Sequence, residues 1–127
     1  MTEVEYLTLE DFLGLVRRLG VGPVRDLGLL DAAAVRPRST AFGEDAYPTL
    51  TLKAAALLHS MVASHALADG NKRLGWLAAT VFLDINGETV EFGDDDAFQL
   101  VLAIAEGCLD VEDIADQLIT SQTTSEG

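Results

Sequence analysis

Apolar residues recur every three or four positions along much of the chain, which is the spacing of one face of an α-helix. The first such run begins with the capping-box pattern of residues 8–11 and stops before Gly20. A second, weaker run extends from Pro23 to Val35, and proline is favoured in the first turn of a helix. The pattern therefore predicts a surface helix ending at Leu19 and a shorter helix over 23–35.

The two most apolar segments lie in the middle of the chain. The first is rich in alanine and extends from Thr51 to about Leu67. The second extends from Asn71 to Asn86, with Gly87 placed to end it, and its apolar side chains lie almost all round the helix. We therefore predict two long, buried helices at the centre of the fold, joined by a short turn.

The remaining segments are less regular. Residues 36–49 contain two prolines and no sustained period, which predicts a loop or a short flap. Residues 89–92 alternate weakly, as in a short strand or an extended link. Acidic residues open the segments 94–106 and 110–119, and acids are favoured at a helix start, so two more helices are expected.

These elements add up to one all-α domain. The chain has 127 residues, the size of one domain, and 49% of them are hydrophobic, which is enough to bury a core. We expect a compact bundle of about six helices over residues 1–120, with the turn between the two central helices in its middle. The polar residues 121–127 are expected to form a disordered tail.

The charge is strongly acidic and unevenly placed. The chain has 8 Lys and Arg against 21 Asp and Glu, a formal net charge of −13. This excess argues against nucleic acid or an anionic membrane as the main partner, because both select basic surfaces. No Lys or Arg follows the adjacent pair Lys72 and Arg73. An anionic ligand therefore has few places to bind.

Features of exported proteins are not found in the pattern. The single cysteine, Cys108, cannot form an internal disulfide, which fits a reducing cytoplasm. No apolar run approaches the ~20 residues that a membrane span needs. The first residues are acidic, unlike the basic start of a signal peptide. We therefore expect a cytoplasmic protein with no membrane partner.

The segment 65–73 breaks a local rule. A helix start favours acidic residues, yet the helix predicted after Gly70 opens with Asn71, Lys72 and Arg73. Such violations are expected at functional sites. Cations beside the unpaired N–H groups of a helix start make a phosphate-binding site.

Two further groups precede this helix start. Asp69 is an oxygen ligand suited to Mg²⁺, which prefers one or two carboxylates together with substrate phosphates. His65 lies four residues earlier and can accept a proton at neutral pH. A base, a metal carboxylate and an anion-binding helix start are what transfer from a nucleotide phosphate to a hydroxyl requires.

Residues 65–73, HALADGNKR, resemble the signature of the Fic/Doc superfamily, His-x-Phe-x-[Asp/Glu]-Gly-Asn-x-Arg, which lies between two central helices. The matching residues are His65, Asp69, Gly70, Asn71 and Arg73. Lys72 stands where the Doc branch, the death-on-curing toxins of bacterial toxin–antitoxin pairs, has a lysine. Leu67 replaces the usual Phe, and we expect it to stay buried while loosening the loop slightly. The resemblance extends over about residues 6–118.

The resemblance implies a role for each motif residue. His65 would be the general base that deprotonates a target hydroxyl, and Asp69 would hold Mg²⁺. The nucleotide phosphates would be held by four consecutive residues: Gly70, Asn71, Lys72 and Arg73.

The resemblance also implies an activity and partners. A lysine at position 72 favours a protein kinase, because Doc proteins transfer the terminal phosphate of ATP to a threonine of elongation factor Tu and block translation. Relatives are neutralised by an antitoxin whose disordered segment folds on the toxin. Two alternatives stay open: AMP transfer to a protein hydroxyl, as in Fic enzymes with a small residue before the final arginine, and a non-catalytic helical binding module.

Several polar residues outside the motif have simpler explanations than chemistry. His59 is predicted to be a packed or capping histidine, and Lys53 to face solvent on its helix. Arg36 and Arg38 could reach the phosphates or the target, but solvated loop charges are the default. The acids of 94–96 are explained by the helix dipole without a metal.

Three apolar or weakly polar residues are expected in the core. Trp76 and Phe82 recur at core spacing on the second central helix and are not expected to form a stacking platform for a ligand. Cys108 is expected to be a small buried hydrophobic residue.

Overall fold

Helices make up most of the computed structural model, which describes residues 3–118 and 120–122. The helices within this part of the chain are α1 (Leu9–Leu19), α2 (Leu27–Val35), α3 (Leu50–Ser64), α4 (Asn71–Ile85), α5 (Asp94–Ala105) and α6 (Val111–Gln117). A 3-10 helix covers Arg36–Arg38, and the short strands are β1 (Thr40–Ala41), β2 (Glu44–Asp45), β3 (Glu88–Val90) and β4 (Thr120–Gln122). The predicted all-α fold of about six helices is confirmed.

Helix α3 lies at the centre and packs against α2, α4, α5 and α6. Its side chains are buried without interruption from Lys53 to Leu58, which explains the continuous alanine-rich pattern. Helix α3 lies close to α4 at Gly75, where a Cβ atom would lie 3.2 Å from Met61 Cβ and 3.2 Å from Val62 Cγ2. A glycine inside α4 therefore allows the two central helices to pack closely.

The helix starts follow local capping chemistry. Thr8 and Asp11 form the predicted capping box of α1, and Asp110 forms another at the start of α6. Helix α2 begins at Leu27 and not at Pro23 as predicted, because the Asp26 carboxylate accepts a hydrogen bond from Leu29 N at 3.0 Å and caps the helix there. Residues 23–26 pair instead with the segment that follows α3.

Helix α3 ends at Ser64 and not near Leu67, as the sequence pattern predicted. His65 takes a left-handed conformation (φ 54°) and stops the helix. The chain beyond it pairs with residues 22–26: Arg25 N donates to Ala66 O at 2.8 Å, and Ala68 N donates to Pro23 O at 2.9 Å. These contacts provide hydrogen-bond partners for backbone N–H and C=O groups that lie outside a helix. They also determine the shape of the loop before α4.

The segment 36–49 contains the 3-10 turn and a hairpin formed by β1 and β2. The prediction that Lys53 faces solvent was wrong: the side chain is 2% exposed, and Nζ donates to Pro37 O at 3.3 Å and to Asp45 Oδ2 at 3.4 Å. The Lys53 ammonium also lies 5.6 Å from the centre of the Tyr6 ring. Lys53 therefore attaches the hairpin to α3.

Arg36 and Arg38 differ in their surroundings. Arg38 is exposed, with its guanidinium 5.2 Å from the centre of the Tyr6 ring. Arg36 is half-buried and hydrogen-bonded to Tyr47 and Ser60, so the prediction of a solvated loop charge was wrong for it. His59 packs beside Arg36, which confirms the prediction of a packed histidine.

The C-terminal part adds a small antiparallel pair, in which β3 pairs with β4. Residues 121 and 122, which we assigned to a disordered tail, belong to β4, and the rest of that segment, 123–127, lies outside the described residues. Cys108 lies exposed in the turn after α5, so its predicted burial was wrong. None of the helices in the described residues combines the length and the hydrophobicity that a membrane span requires.

Candidate functional site

The loop 65–70 joins the two central helices and has its backbone hydrogen-bonded on both sides. Asn71 Oδ1 accepts from Leu67 N, and Asn71 Nδ2 donates to Leu67 O, each at 2.9 Å. Gly22 N donates to Asp69 O at 3.0 Å from the other side. Leu67 is fully buried, as expected for a residue in the place of the family's Phe. These hydrogen bonds connect the loop to the start of α4 and to residue 22.

Gly70 is required by the turn into α4. Its φ is +95°, which L side chains rarely adopt, and a Cβ atom would lie 2.5 Å from both Cβ and Cγ1 of Val21. A larger residue would move Val21 or the loop. Gly70 therefore allows the loop to turn directly into the first turn of α4.

The start of α4 differs from most other helix starts in the described residues. Side-chain oxygens cap α1, α2, α3 and α6, but Gly70 supplies no side-chain cap to α4, and the first turn of α4 contains no acid. The first-turn N–H groups of a helix have no carbonyl partners within it. Lys72 and Arg73 are exposed beside them. The helix start is therefore open to an anion.

His65 and Asp69 lie on the same side of the loop as this helix start. Both side chains are exposed. Asp69 Oδ2 lies 4.0 Å from Arg73 Nη2, an exposed pair of the kind that contributes little to stability. The Asp69 carboxylate therefore stays available to a ligand or cation.

All six motif residues predicted from the sequence line one cleft of about 820 Å³, a size typical of small-molecule sites. They are His65, Asp69, Gly70, Asn71, Lys72 and Arg73. The Asn71 amide is hydrogen-bonded to the Leu67 backbone. Its Nδ2 group carries a second hydrogen, so Asn71 has a side-chain donor as well as its main-chain N–H for a phosphate.

The opposite wall of the cleft comes from α5 and from the outer face of α4. It contains Thr80, Phe98 and Val101, and Asp94 lies at the start of α5. Sequence reasoning missed this wall, since an amphipathic helix without a motif carries no signal of a binding surface. Phe98 is 62% exposed, an unusual position for a large aromatic side chain.

Trp76 and Phe82 have different environments on α4. Phe82 is fully buried and its ring stacks on Tyr6 at a centroid distance of 6.1 Å, as predicted for a core residue. Trp76 is half-buried, packs its ring 5.6 Å from that of Phe92 and lines the cleft. The prediction that Trp76 belongs only to the core was therefore wrong.

The donor set for a metal is small. Within the described residues, no three His, Cys, Asp or Glu side chains gather at a point where they could hold a metal ion. Asp69 supplies one exposed carboxylate beside the uncapped start of α4. This fits Mg²⁺, which is commonly held by one or two carboxylates plus substrate phosphates.

Comparison with known proteins adds to this geometry. The model of the Fic/DOC family matches residues 4–83, which include the loop and nearly all of α4. This chain belongs to the Fic/DOC family. Toxin Doc of Mycolicibacterium smegmatis (strain ATCC 700084 / mc(2)155) is 49% identical over 118 residues, which is 90% of this chain and 91% of that protein. In this Fic/DOC chain, the α5 wall of the cleft follows the residues matched by the family model.

Proposed function

We propose that this Fic/DOC protein is the toxin of a bacterial toxin–antitoxin pair. It would act as a protein kinase that transfers the terminal phosphate of ATP to a threonine of elongation factor Tu and so blocks translation. The single observation that carries the proposal is that His65, Asp69 and the uncapped start of α4 face one cleft. The 49% identity to a protein named Toxin Doc supports the toxin part of the proposal.

Phosphate binding would use the start of α4. The first-turn N–H groups and the positive end of the helix dipole favour an anion, and the side chains of Lys72 and Arg73 add two cations. Mg²⁺, when bound by Asp69 and the phosphates, would neutralise part of the phosphate charge. Lys72 before Arg73 is the feature that favours a kinase over AMP transfer.

The chemical step would be an in-line displacement at the terminal phosphorus. The threonine oxygen forms a bond to phosphorus, and the bond from phosphorus to the oxygen of ADP breaks. His65 accepts the hydroxyl proton, and ADP leaves with the electron pair of the broken bond between phosphorus and the bridging oxygen. Because the reaction needs little covalent chemistry from the protein, rigid positioning by the loop 65–70 supplies much of the catalysis.

The apolar end of the cleft would hold the adenine base. Trp76 and Phe98 lie along α4 and α5 beyond the cationic end. An aromatic face can stack on a base at about 1–3 kcal/mol per contact. The α5 wall would therefore bind the adenine base, a function that the motif itself does not supply.

A protein partner is also part of the proposal. We propose that a cognate antitoxin, with a segment that is disordered alone and folds on this protein, neutralises it in the bacterial cytoplasm. The net charge of −13 argues against direct binding of nucleic acid by this chain.

Mass spectrometry of elongation factor Tu incubated with the protein, ATP and Mg²⁺ tests the activity. We expect a gain equal to one phosphoryl group on a threonine, lost in His65→Ala and Arg73→Ala and kept in the exposed control Arg17→Ala. A gain equal to AMP would replace the kinase by an AMP transferase. If elongation factor Tu gains no mass and His65→Ala is as toxic on expression as the parent, the protein is a non-catalytic binding module.

A further inference from the structure

A polar cluster lies outside the cleft, where the segment 36–49 meets α3. We call Arg36, Tyr47, His59 and Ser60 the Arg36 cluster. Arg36 Nη1 lies 3.0 Å from His59 Nδ1, 2.8 Å from Ser60 Oγ and 3.5 Å from Ala56 O. Arg36 Nε donates to the Tyr47 hydroxyl at 3.0 Å. One guanidinium therefore joins the Tyr47 hydroxyl to three residues of α3.

The contact between Arg36 and His59 determines the protonation state of the histidine. A guanidinium has only donors and keeps its charge at all ordinary pH values. Nδ1 of His59 must therefore be the acceptor, so the ring is neutral and carries its proton on Nε2. A protonated ring would place an N–H group against another N–H group at 3.0 Å.

The charges around His59 agree with this geometry. Burial lowers the pKa of His59 below its usual 6.5, the Arg36 charge lowers it further, and Asp110 at the start of α6 raises it. Asp110 is also used in the capping box of α6, where its Oδ1 accepts from Asp113 N. Tyr47 is the other titratable group on the same guanidinium.

The hairpin that follows Arg36 depends on such contacts for its position. Strands β1 and β2 have two residues each, and short isolated hairpins are marginally stable. Phe42 at the tip is fully exposed and adds no packing. Two cationic attachments hold the segment to α3: Lys53, through Pro37 O and Asp45, and Arg36, through Tyr47. Of the two attachments, the one through Arg36 has a histidine, His59, among its contacts.

We propose that the Arg36 cluster is a pH-sensitive attachment of the hairpin segment: neutral His59 keeps Arg36 in place, and protonation of His59 loosens residues 39–48 from α3. In the loosened state Arg36 loses one acceptor and gains a cationic neighbour, while the Lys53 attachment remains. The sign follows from linkage. The closed cluster favours the neutral ring, so opening increases as the pH falls below about 6.5 and levels off below the pKa of the closed cluster.

Hydrogen exchange of the full-length protein between pH 7.5 and 5.0, corrected for the intrinsic pH dependence of exchange, tests this proposal. We expect the opening of residues 39–48 to rise as the pH falls, by at most about tenfold per pH unit, the limit for one proton. His59→Asn, which can still accept from Arg36 but does not titrate, should remove the rise. His65→Asn, at the other histidine, should keep it. An equal rise in His59→Asn and in the parent, or no rise in the parent, would overturn the proposal.

Nitrogen-15 NMR of the unmodified protein gives a second measurement that needs no variant. The two ring nitrogens of His59 should report a neutral ring with the proton on Nε2 at pH 7.5. A proton on Nδ1 at that pH, or a charged ring, would contradict the proposal even if His59→Asn failed to fold.

Discussion

The side chains of the motif differ in their contacts: some face the cleft, and one is hydrogen-bonded to the loop backbone. His65, Asp69, Lys72 and Arg73 present exposed polar groups to the cleft. Asn71 instead uses both ends of its amide on the Leu67 backbone. The motif could be read from the sequence, but the partner of the asparagine amide could not, since an amide at a helix start can bond to a ligand or to the chain.

Asn71→Ala should therefore destabilise the fold as well as reduce phosphate transfer. The change removes two hydrogen bonds and leaves Leu67 N and O unpaired, at an expected cost of about 1–3 kcal/mol. Urea unfolding and single-turnover kinetics measure the two effects. Asn86→Ala is the control, because the Asn86 amide bonds to both backbone groups of Glu5 and, in addition, to Phe82 O, far from the loop 65–70. It should lose similar stability and keep its activity; equal losses of activity would argue against a role for Asn71 in the loop.

Helix boundaries show where local sequence is sufficient. The start of α1 was predicted correctly, since Thr8 and Asp11 cap it within four residues of chain. The end of α3 was not, because the chain leaves the helix at His65 to pair residues 66–69 with 22–26, which are far apart in sequence. The same pairing presents the start of α4 to the cleft, so an element boundary becomes part of the site.

Cations at the start of α4 should favour ligand binding at the expense of helix stability. Lys72→Ala should leave the unfolding free energy unchanged or raise it by about 0.3 kcal/mol, because a cation is unfavourable at a helix N-terminus. It should weaken ATP binding measured by calorimetry. Arg18→Ala removes a cation from the last turn of α1, where it is favourable, so stability should fall slightly while ATP binding is retained. Loss of stability in Lys72→Ala with unchanged binding would contradict a phosphate site.

The whole molecule carries a net charge of −13, and its Lys and Arg residues are absent after position 73. An acidic body would repel ATP at long range, so the proposed binding of ATP would rely on the local cations and on the charge of Mg²⁺. Salt screens the long-range term within about 10 Å at 0.1 M. Repulsion among the acidic side chains should therefore lower the free energy of unfolding most at low ionic strength.

Asp116→Asn tests this point at the end of α6. Asp116 is exposed in the last turn, where an anion is unfavourable with the helix dipole and with the overall charge. We expect a gain of about 0.3–0.5 kcal/mol in unfolding free energy at low salt, which decreases as sodium chloride is added. Asp113→Asn should destabilise instead, since Asp113 lies in the first turn of α6, where an anion is favourable with the helix dipole. A gain independent of salt would show that charge repulsion is not its cause.

The sequence by itself determined the helical class, most helix positions and the candidate residues for binding and catalysis. Periodicity, caps and the motif are local properties of the chain. Tertiary structure decided how these residues are used. It buried Lys53 under Tyr6, placed Arg36 against His59 and brought α5 across from the motif to close the cleft. Each of these outcomes depends on contacts between segments far apart in the chain, which local patterns do not encode.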